Sequence, residues 1–281
     1  MLDTGRVPTI DLNADLGEHE VWQRSDARLL ESVTSANISC GFHAGTPEVI
    51  RRTVACAVEH GVAVGAHVSF RDRAGFGRRP LEVPPAVLHS EIVEQYHFLE
   101  RITGSAGGSV AYLKPHGALY HRMAVDRTTA DVIVSAARRV GCGVLLAPPG
   151  AVVIDPAVTA GLVVAVEGFA DRAYRGDGTL VPRPEAGAVL EDPRTVVAQA
   201  LELALRGTVR AADGTTVALR CDSLCFHGDT PGADAVAAEA RAALVREGCT
   251  VAAFAPGRLG PPAGDPPPPD GTGPRPFDAT G

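Results

Sequence analysis

A chain of 281 residues and 29.1 kDa, 45% hydrophobic and 21% charged, suits one large α/β barrel or two smaller domains, and its apolar content is that of a globular protein. Its formal net charge of −7 and pI near 5.7 argue against a nucleic-acid or anionic-membrane partner, since nothing supplies a phosphate-neutralising surface. The densest basic cluster, Arg71, Arg73, Arg78 and Arg79, suits a small anion at most.

No run approaches the roughly 20 apolar residues that a membrane-spanning helix needs. The first residues carry no basic segment followed by a long apolar run, so no signal peptide is expected. Six cysteines in a chain of this size read as reduced thiols of a cytoplasmic protein rather than a disulfide framework.

From residue 10 onward a short apolar run, a polar cluster and an amphipathic helix recur. The first strand covers residues 10–12 and leads into Asn13, Asp15 and Glu18, with a helix over 25–34. A second strand, 37–42, ends at His43. Thr46 then reads as an N-cap with Pro47 at the first helical position, and Val49, Ile50, Val54, Ala57 and Val58 form one apolar face up to Gly61. The third strand, 62–66, ends at His67 and opens into a loop containing GFGRR (75–79). A helix over 85–103 follows.

The fourth strand, 110–113, stops at Lys114-Pro115-His116-Gly117. Asp126 caps a helix running to residue 140. A fifth strand covers 144–147. A sixth, 162–166, leads into Glu167, Asp171 and Arg172. After an irregular stretch over 176–192 come a helix over 193–205 and a hairpin turning on Asp213-Gly214. The seventh strand, 223–226, ends at His227-Gly228-Asp229, and Pro231 begins the last long helix. About seven strand–helix units of this kind imply parallel strands with right-handed crossovers, and fit a (β/α) barrel better than an open sheet. One barrel domain is expected over 1–250, with a Pro/Gly-rich, disordered tail over 251–281.

The chain writes 25 of its 26 cations as arginine; the single lysine, Lys114, stands at a strand end beside Pro-His-Gly. Lysine differs from arginine in being a compact charge whose pKa burial can move. In a parallel barrel all carboxyl ends of the strands open onto one face. That face then collects Asp15, Glu18, His43, His67, Lys114, His116, Glu167, Asp171, Arg172, His227 and Asp229. The other five histidines fall in loops or helices, where solvation explains them. Asp15, His43 and His67 form a candidate metal site that spacing alone leaves open. Cys40, near His43, reads better as a small buried residue than as a nucleophile. No P-loop, dinucleotide fingerprint, nucleophile elbow or H-E-x-x-H helix occurs.

The motifs DLNADLGE (11–18), SANISCGFHAG (35–45), GFGRR (75–79), LKPHGALY (113–120), FADRAY with DGTLVPR (169–183) and CFHGDTPGA (225–233) resemble the LamB/YcsF family. The resemblance implies a barrel-like fold related to the sugar deacetylases. It also implies a part in the ATP-dependent opening of 5-oxo-L-proline to L-glutamate with partner subunits B and C. Three departures stand out: Thr46 where the family usually has Asp, Val68 where it often has Pro, and His19-Glu20-Val21 in place of Gly-Phe-Gly.

On this reading Lys114 and Arg172 stabilise developing charge, a histidine acts as acid or base, and Asp15, Asp171 or Asp229 orients it. Asn13, Glu18, Arg78, Tyr120 and Arg183 are placed against substrate. Replacing Lys114 by Met is expected to abolish turnover without unfolding the chain. ATP enters as co-substrate, held by the partners or by the barrel in an unfamiliar way. Two rival readings are a metal-dependent amide or N-acetyl deacetylase and a non-catalytic subunit that binds a small acid.

Overall fold

The computed structural model of the protein describes residues 7–227 and 232–255. Six parallel strands come first in sequence: β1 (Thr9–Leu16), β2 (Ser35–Ser39), β3 (Ala63–Val68), β4 (Val110–Pro115), β5 (Val144–Ala147) and β6 (Val163–Phe169). Each pairs with the next. A separate antiparallel hairpin, β7 (Thr208–Arg210) and β8 (Thr216–Ala218), turns at Asp213-Gly214 as expected. The seventh barrel strand, β9 (Ser223–His227), pairs with β6 on one side and β1 on the other. The sheet is therefore a closed, seven-stranded parallel barrel wrapped by helices, and the open sheet is excluded.

The helices form where caps and apolar periodicity place them. Thr46 accepts a hydrogen bond from the Val49 amide at 3.3 Å and starts α2 (Pro47–Glu59), whose Val49, Ile50, Val54 and Ala57 are buried. Thr46 thus satisfies one of the amides that the first turn of α2 leaves without a partner. Two further helices follow, α3 (Pro85–Ser105) and α5 (Arg127–Arg139), the latter capped by Asp126. Asp192 caps α7 (Pro193–Arg206), which ends on Gly207 at a positive φ of 62°. The last helix, α8 (Ala233–Arg246), follows Pro231, which lies outside the described residues.

Several elements go beyond the expected pattern. Helix α1 is shorter than expected (Arg24–Leu30), β1 runs on to Leu16, and β2 starts at Ser35. Two short helices, α4 (Gly117–Val125) and α6 (Ile154–Thr159), occupy stretches that read as connections. A final strand, β10 (Thr250–Val251), pairs with the start of β1, and Phe254 stacks edge-on against Tyr112 at 4.8 Å between centroids. The barrel thus uses residues just past 250. The stretch 256–281, where disorder is expected, lies outside the described residues.

The interior accounts for the length of β1. Successive side chains on a strand point to opposite faces. Leu12, Ala14 and Leu16 belong to the apolar core shared with the helices, while Asp11, Asn13 and Asp15 point into the barrel. There Asn13 donates to Ser223 Oγ at 2.7 Å and accepts from Asn37 Nδ2 at 2.6 Å. Asp11 accepts from the hydroxyls of Thr34 and Ser35, each at 2.6 Å, and from Ser223. Tyr112 donates to Asn37 Oδ1 at 2.7 Å. Its ring fits only because residue 65 is glycine, where a Cβ would fall 2.2 Å from two ring carbons. Beneath this network Ala63, Tyr112, Leu146, Ala165 and Ala255 form a small apolar floor. A polar interior is tolerable because its donors find acceptors.

Candidate active site

The carboxyl ends of the strands gather the polar residues into one cleft, with about 520 Å³ of space including its open mouth. Asp15, Glu18, His67, Arg78, Lys114, His116, Tyr120, His121, Phe169, Arg172, Arg183 and His227 line it. Asp229 lies outside the described residues. His43 sits behind this wall, stacked on His116 at 4.0 Å between ring centroids.

Lys114 is enclosed by its neighbours. Its ammonium, 3% exposed, lies 2.9 Å from Asp15 Oδ1, 2.8 Å from Glu167 Oε1 and 3.5 Å from Cys225 Sγ. Burial would lower its pKa, but Asp15, Cys225 and Glu167 more than reverse this and hold it well above the ordinary value. For Asp15 burial works upward, and His67 with Lys114 overrides it, leaving the carboxyl ionised. Lys114 thus neutralises a pair of carboxylates and positions Asp15, and it also lines the cleft in which its expected charge-stabilising role would be exercised.

The expected role of Asn13 is corrected. It is fully buried below Asp15 with its amide spent on Ser223 and Asn37, so it does not reach substrate. Arg172 is 4% exposed, donating from Nε to Ala188 O at 3.1 Å and from Nη2 to Val181 O at 2.6 Å. It ties down the loop carrying Arg183 more than it serves the cleft.

On the β6–β9 wall, Asp171 accepts from His227 twice, from its backbone amide and from ring Nδ1, both at 2.9 Å. Burial pushes the Asp171 carboxyl up, and the His227 imidazole more than offsets it, so the group stays ionised. With Nδ1 committed, Nε2 of a neutral His227 carries the lone pair. The ring stacks on Phe169 at 5.7 Å. This is an imidazole oriented by a buried carboxylate, suited to moving a proton.

The β2–β4 wall is built differently. His43, His67 and His116 converge on Glu18, whose Oε1 is 2.9 Å from His43 Nε2, 3.6 Å from His116 Nδ1 and 3.8 Å from His67 Nε2. Burial, then the neighbouring imidazoles, depress the pKa of His43 and His116 well below the usual histidine value. Ligand atoms of these four residues lie within 4.8 Å of one another, a spacing that could hold a metal ion. His43 and His67 of the expected Asp15–His43–His67 set belong to this group; Asp15 Oδ2 also stands 3.3 Å from His67 Nε2 and falls in a second group with Cys225 and His227. Gly77, with φ at 65°, closes over the cluster: a Cβ there would meet His116 Cδ2 at 2.8 Å and His43 Cβ at 2.9 Å.

Some of the site was not foreseen. Cys225 touches the ammonium, Ser69 bonds His43, and His121 lines the cleft although it reads as a solvated helix residue. Only the alternation of polar residues along β9 and the proximity of Ser69 to His67 hinted at the first two. Cys40 is buried and its thiol is pushed up by burial, in keeping with a packing role. All six cysteines are free, and among the described residues no helix is long and apolar enough to cross a membrane.

Comparison with known proteins adds to the geometry. A protein of Streptomyces avermitilis, named as the A subunit of 5-oxoprolinase, is 49% identical over 249 residues, covering 88% of this chain and all of that one. A protein of the same name from Methylococcus capsulatus is 48% identical, over 88% of this chain and 96% of its own length. The crystal structure of a lactam utilization protein from Thermus thermophilus superposes with a TM-score of 0.82 at 40% identity, covering 88% of this chain and 100% of that one. The LamB/YcsF family matches residues 10–258, taking in every strand of the barrel and both walls of the cleft, and the chain belongs to that family.

Proposed function

We propose that this protein is the ring-opening subunit of an ATP-dependent 5-oxoprolinase, converting 5-oxo-L-proline to L-glutamate with partner subunits B and C. The observation that carries the reading is the oriented Asp171–His227 pair facing a cleft rimmed by Arg78 and Arg183, in a chain nearly half identical to relatives bearing that name.

A five-membered lactam is a poor electrophile, so its carbonyl oxygen is first phosphorylated at the expense of ATP. That step belongs to the partner subunits. This chain has no P-loop, and its one lysine is already engaged by two carboxylates. Water then adds to the ring carbon, the C–N bond breaks and the nitrogen takes a proton to leave as the α-amine; the γ-glutamyl phosphate so formed is hydrolysed by a second water to the γ-carboxylate and free phosphate. His227 takes the proton of the attacking water and returns it to the nitrogen, while Asp171 steadies the imidazolium. Arg78 and Arg183 hold the substrate carboxylate, and Tyr120 shapes the cleft wall. The pathway is that of a soluble, cytoplasmic enzyme.

Glutamate release from 5-oxoproline tests this, using this chain, subunits B and C and ATP, each omitted in turn. Release that needs all four components is expected. Unchanged release without this chain would defeat the proposal. ATP-independent release of acetate from an N-acetyl sugar would favour the deacetylase reading, and binding of 5-oxoproline with no turnover in the full mixture would favour the small-acid binder.

A further inference from the structure

We propose that Glu18, His43, His67 and His116 form a binding site for one divalent transition-metal ion of the zinc class. The argument is a count of protons on three imidazoles. His67 Nδ1 faces Lys114 O at 3.2 Å, and His116 Nε2 faces Phe76 O at 2.9 Å. A carbonyl can only accept, so each of these ring nitrogens carries the proton. His43 Nδ1 lies 3.0 Å from Ser69 Oγ, whose own proton goes to Phe70 O at 3.0 Å, so His43 Nδ1 donates as well.

In neutral rings the remaining nitrogens, His43 Nε2, His67 Nε2 and His116 Nδ1, are then all lone pairs. All three point inward. His116 Nδ1 and His67 Nε2 stand 2.9 Å apart, lone pair against lone pair, and His43 Nε2 stands 2.9 Å from a Glu18 carboxylate oxygen, again acceptor against acceptor. Asp15 Oδ2 stands 3.3 Å from His67 Nε2 as well, and acceptors so directed at one another need something positive between them.

The spacing fits an ion. Ligand bonds of about 2.1 Å in a tetrahedron set the donor atoms about 3.4 Å apart, and the closest pairs measured here run from 2.9 to 3.8 Å. Each outer ring nitrogen is fixed by a carbonyl or hydroxyl, the support that metal-bound histidines regularly have. Three imidazoles and one carboxylate suit zinc, cobalt, nickel or iron rather than magnesium or calcium, which prefer oxygen. Glu18, His67 and His116 also line the cleft opposite His227. A bound ion would supply Lewis-acid polarisation of a carbonyl placed there.

The inference does not depend on the lactam reading, because metal binding is measured without substrate or partners. Untagged full-length chain is analysed for metal as purified and after incubation with Zn²⁺ or Co²⁺ followed by desalting. About one ion per chain is expected, with a tetrahedral Co²⁺ spectrum and a melting temperature that falls with chelator and returns with Zn²⁺ but not Mg²⁺. Glu18→Gln and His116→Ala should each weaken binding by more than about tenfold, the loss that even outer partners of a metal ligand cause. His227→Asn, on the other wall, should bind the ion normally. A folded wild-type chain that takes up no ion from excess Zn²⁺ or Co²⁺ would overturn the proposal; a proton held among the rings would then be what reconciles the lone pairs. Undiminished binding in both ligand variants would overturn it too.

Discussion

The two walls of the cleft use the same side chain for opposite ends. On the β6–β9 wall one imidazole leans on a buried carboxylate, Asp171, and keeps a single nitrogen toward the cleft. On the β2–β4 wall three imidazoles turn their protonated nitrogens outward, to two backbone carbonyls and one hydroxyl, and their lone pairs toward each other. A carboxylate partner makes a histidine a proton carrier; a carbonyl partner makes it a fixed acceptor. Lys114 stands between the walls, its ammonium held against Asp15 and Glu167.

That contrast can be broken experimentally. The largest effect is expected on the proton-carrying wall. His227→Asn should lower kcat of the reconstituted enzyme by about 10²- to 10⁴-fold with little change in KM, and Asp171→Asn should follow it. A loss confined to KM would move His227 from proton transfer to binding.

Lys114→Met comes next. It strands Asp15 and Glu167 as buried carboxylates without a cation, which costs about 3–5 kcal/mol and shows as a lower urea midpoint. On this account the variant loses stability as well as turnover. Adding Glu167→Gln should restore part of the loss. Wild-type stability in the single variant would dissolve the ion trio.

Asp11, below both walls, gives a pH test. Burial is the main influence on its carboxyl, and despite the hydroxyls of Ser223, Ser35 and Thr34 it is raised from 3.8 to about 6. Between those values the folded chain holds a proton that the unfolded chain releases. This contribution to stability is therefore complete below pH 3.8 and is lost as pH rises through about 6. Relative to wild type, Asp11→Asn should gain about 3 kcal/mol between about pH 3.5 and 7, read from urea unfolding at each pH. A constant difference across that range would place the proton elsewhere.

The smallest effect sits beside the imidazole wall. Thr46→Ala removes the cap of α2 and should cost about 1 kcal/mol, while Thr46→Asp should be tolerated. A larger loss would mean that Thr46 has a second role near His43.

The match between residue order and architecture was close where local chemistry decides. Thr46-Pro47, Asp126 and Asp192-Pro193 start helices where they should, and Asp213-Gly214 turns a hairpin. It was poor at the ends of β1 and β2, because Asn13, Asp15 and Ser35 look like loop residues until a polar barrel interior is known. The strand-end histidines were identified as a set, yet their partners were not. Ser69 had no signal beyond proximity to His67, and Glu167 looked like one more loop carboxylate rather than the second counter-ion of Lys114.

Periodicity, caps and turn residues are properties of neighbours in the chain, so by itself the order of residues determined an alternating β/α barrel with its polar residues at one rim. Which nitrogen of each histidine is free, and which carboxylates hold the lone lysine, depend on contacts such as His67 with Lys114, 47 residues apart, and Asp11 with Ser223, 212 apart. Closure of the barrel alone brings those atoms within hydrogen-bonding range, so only the tertiary structure could decide them.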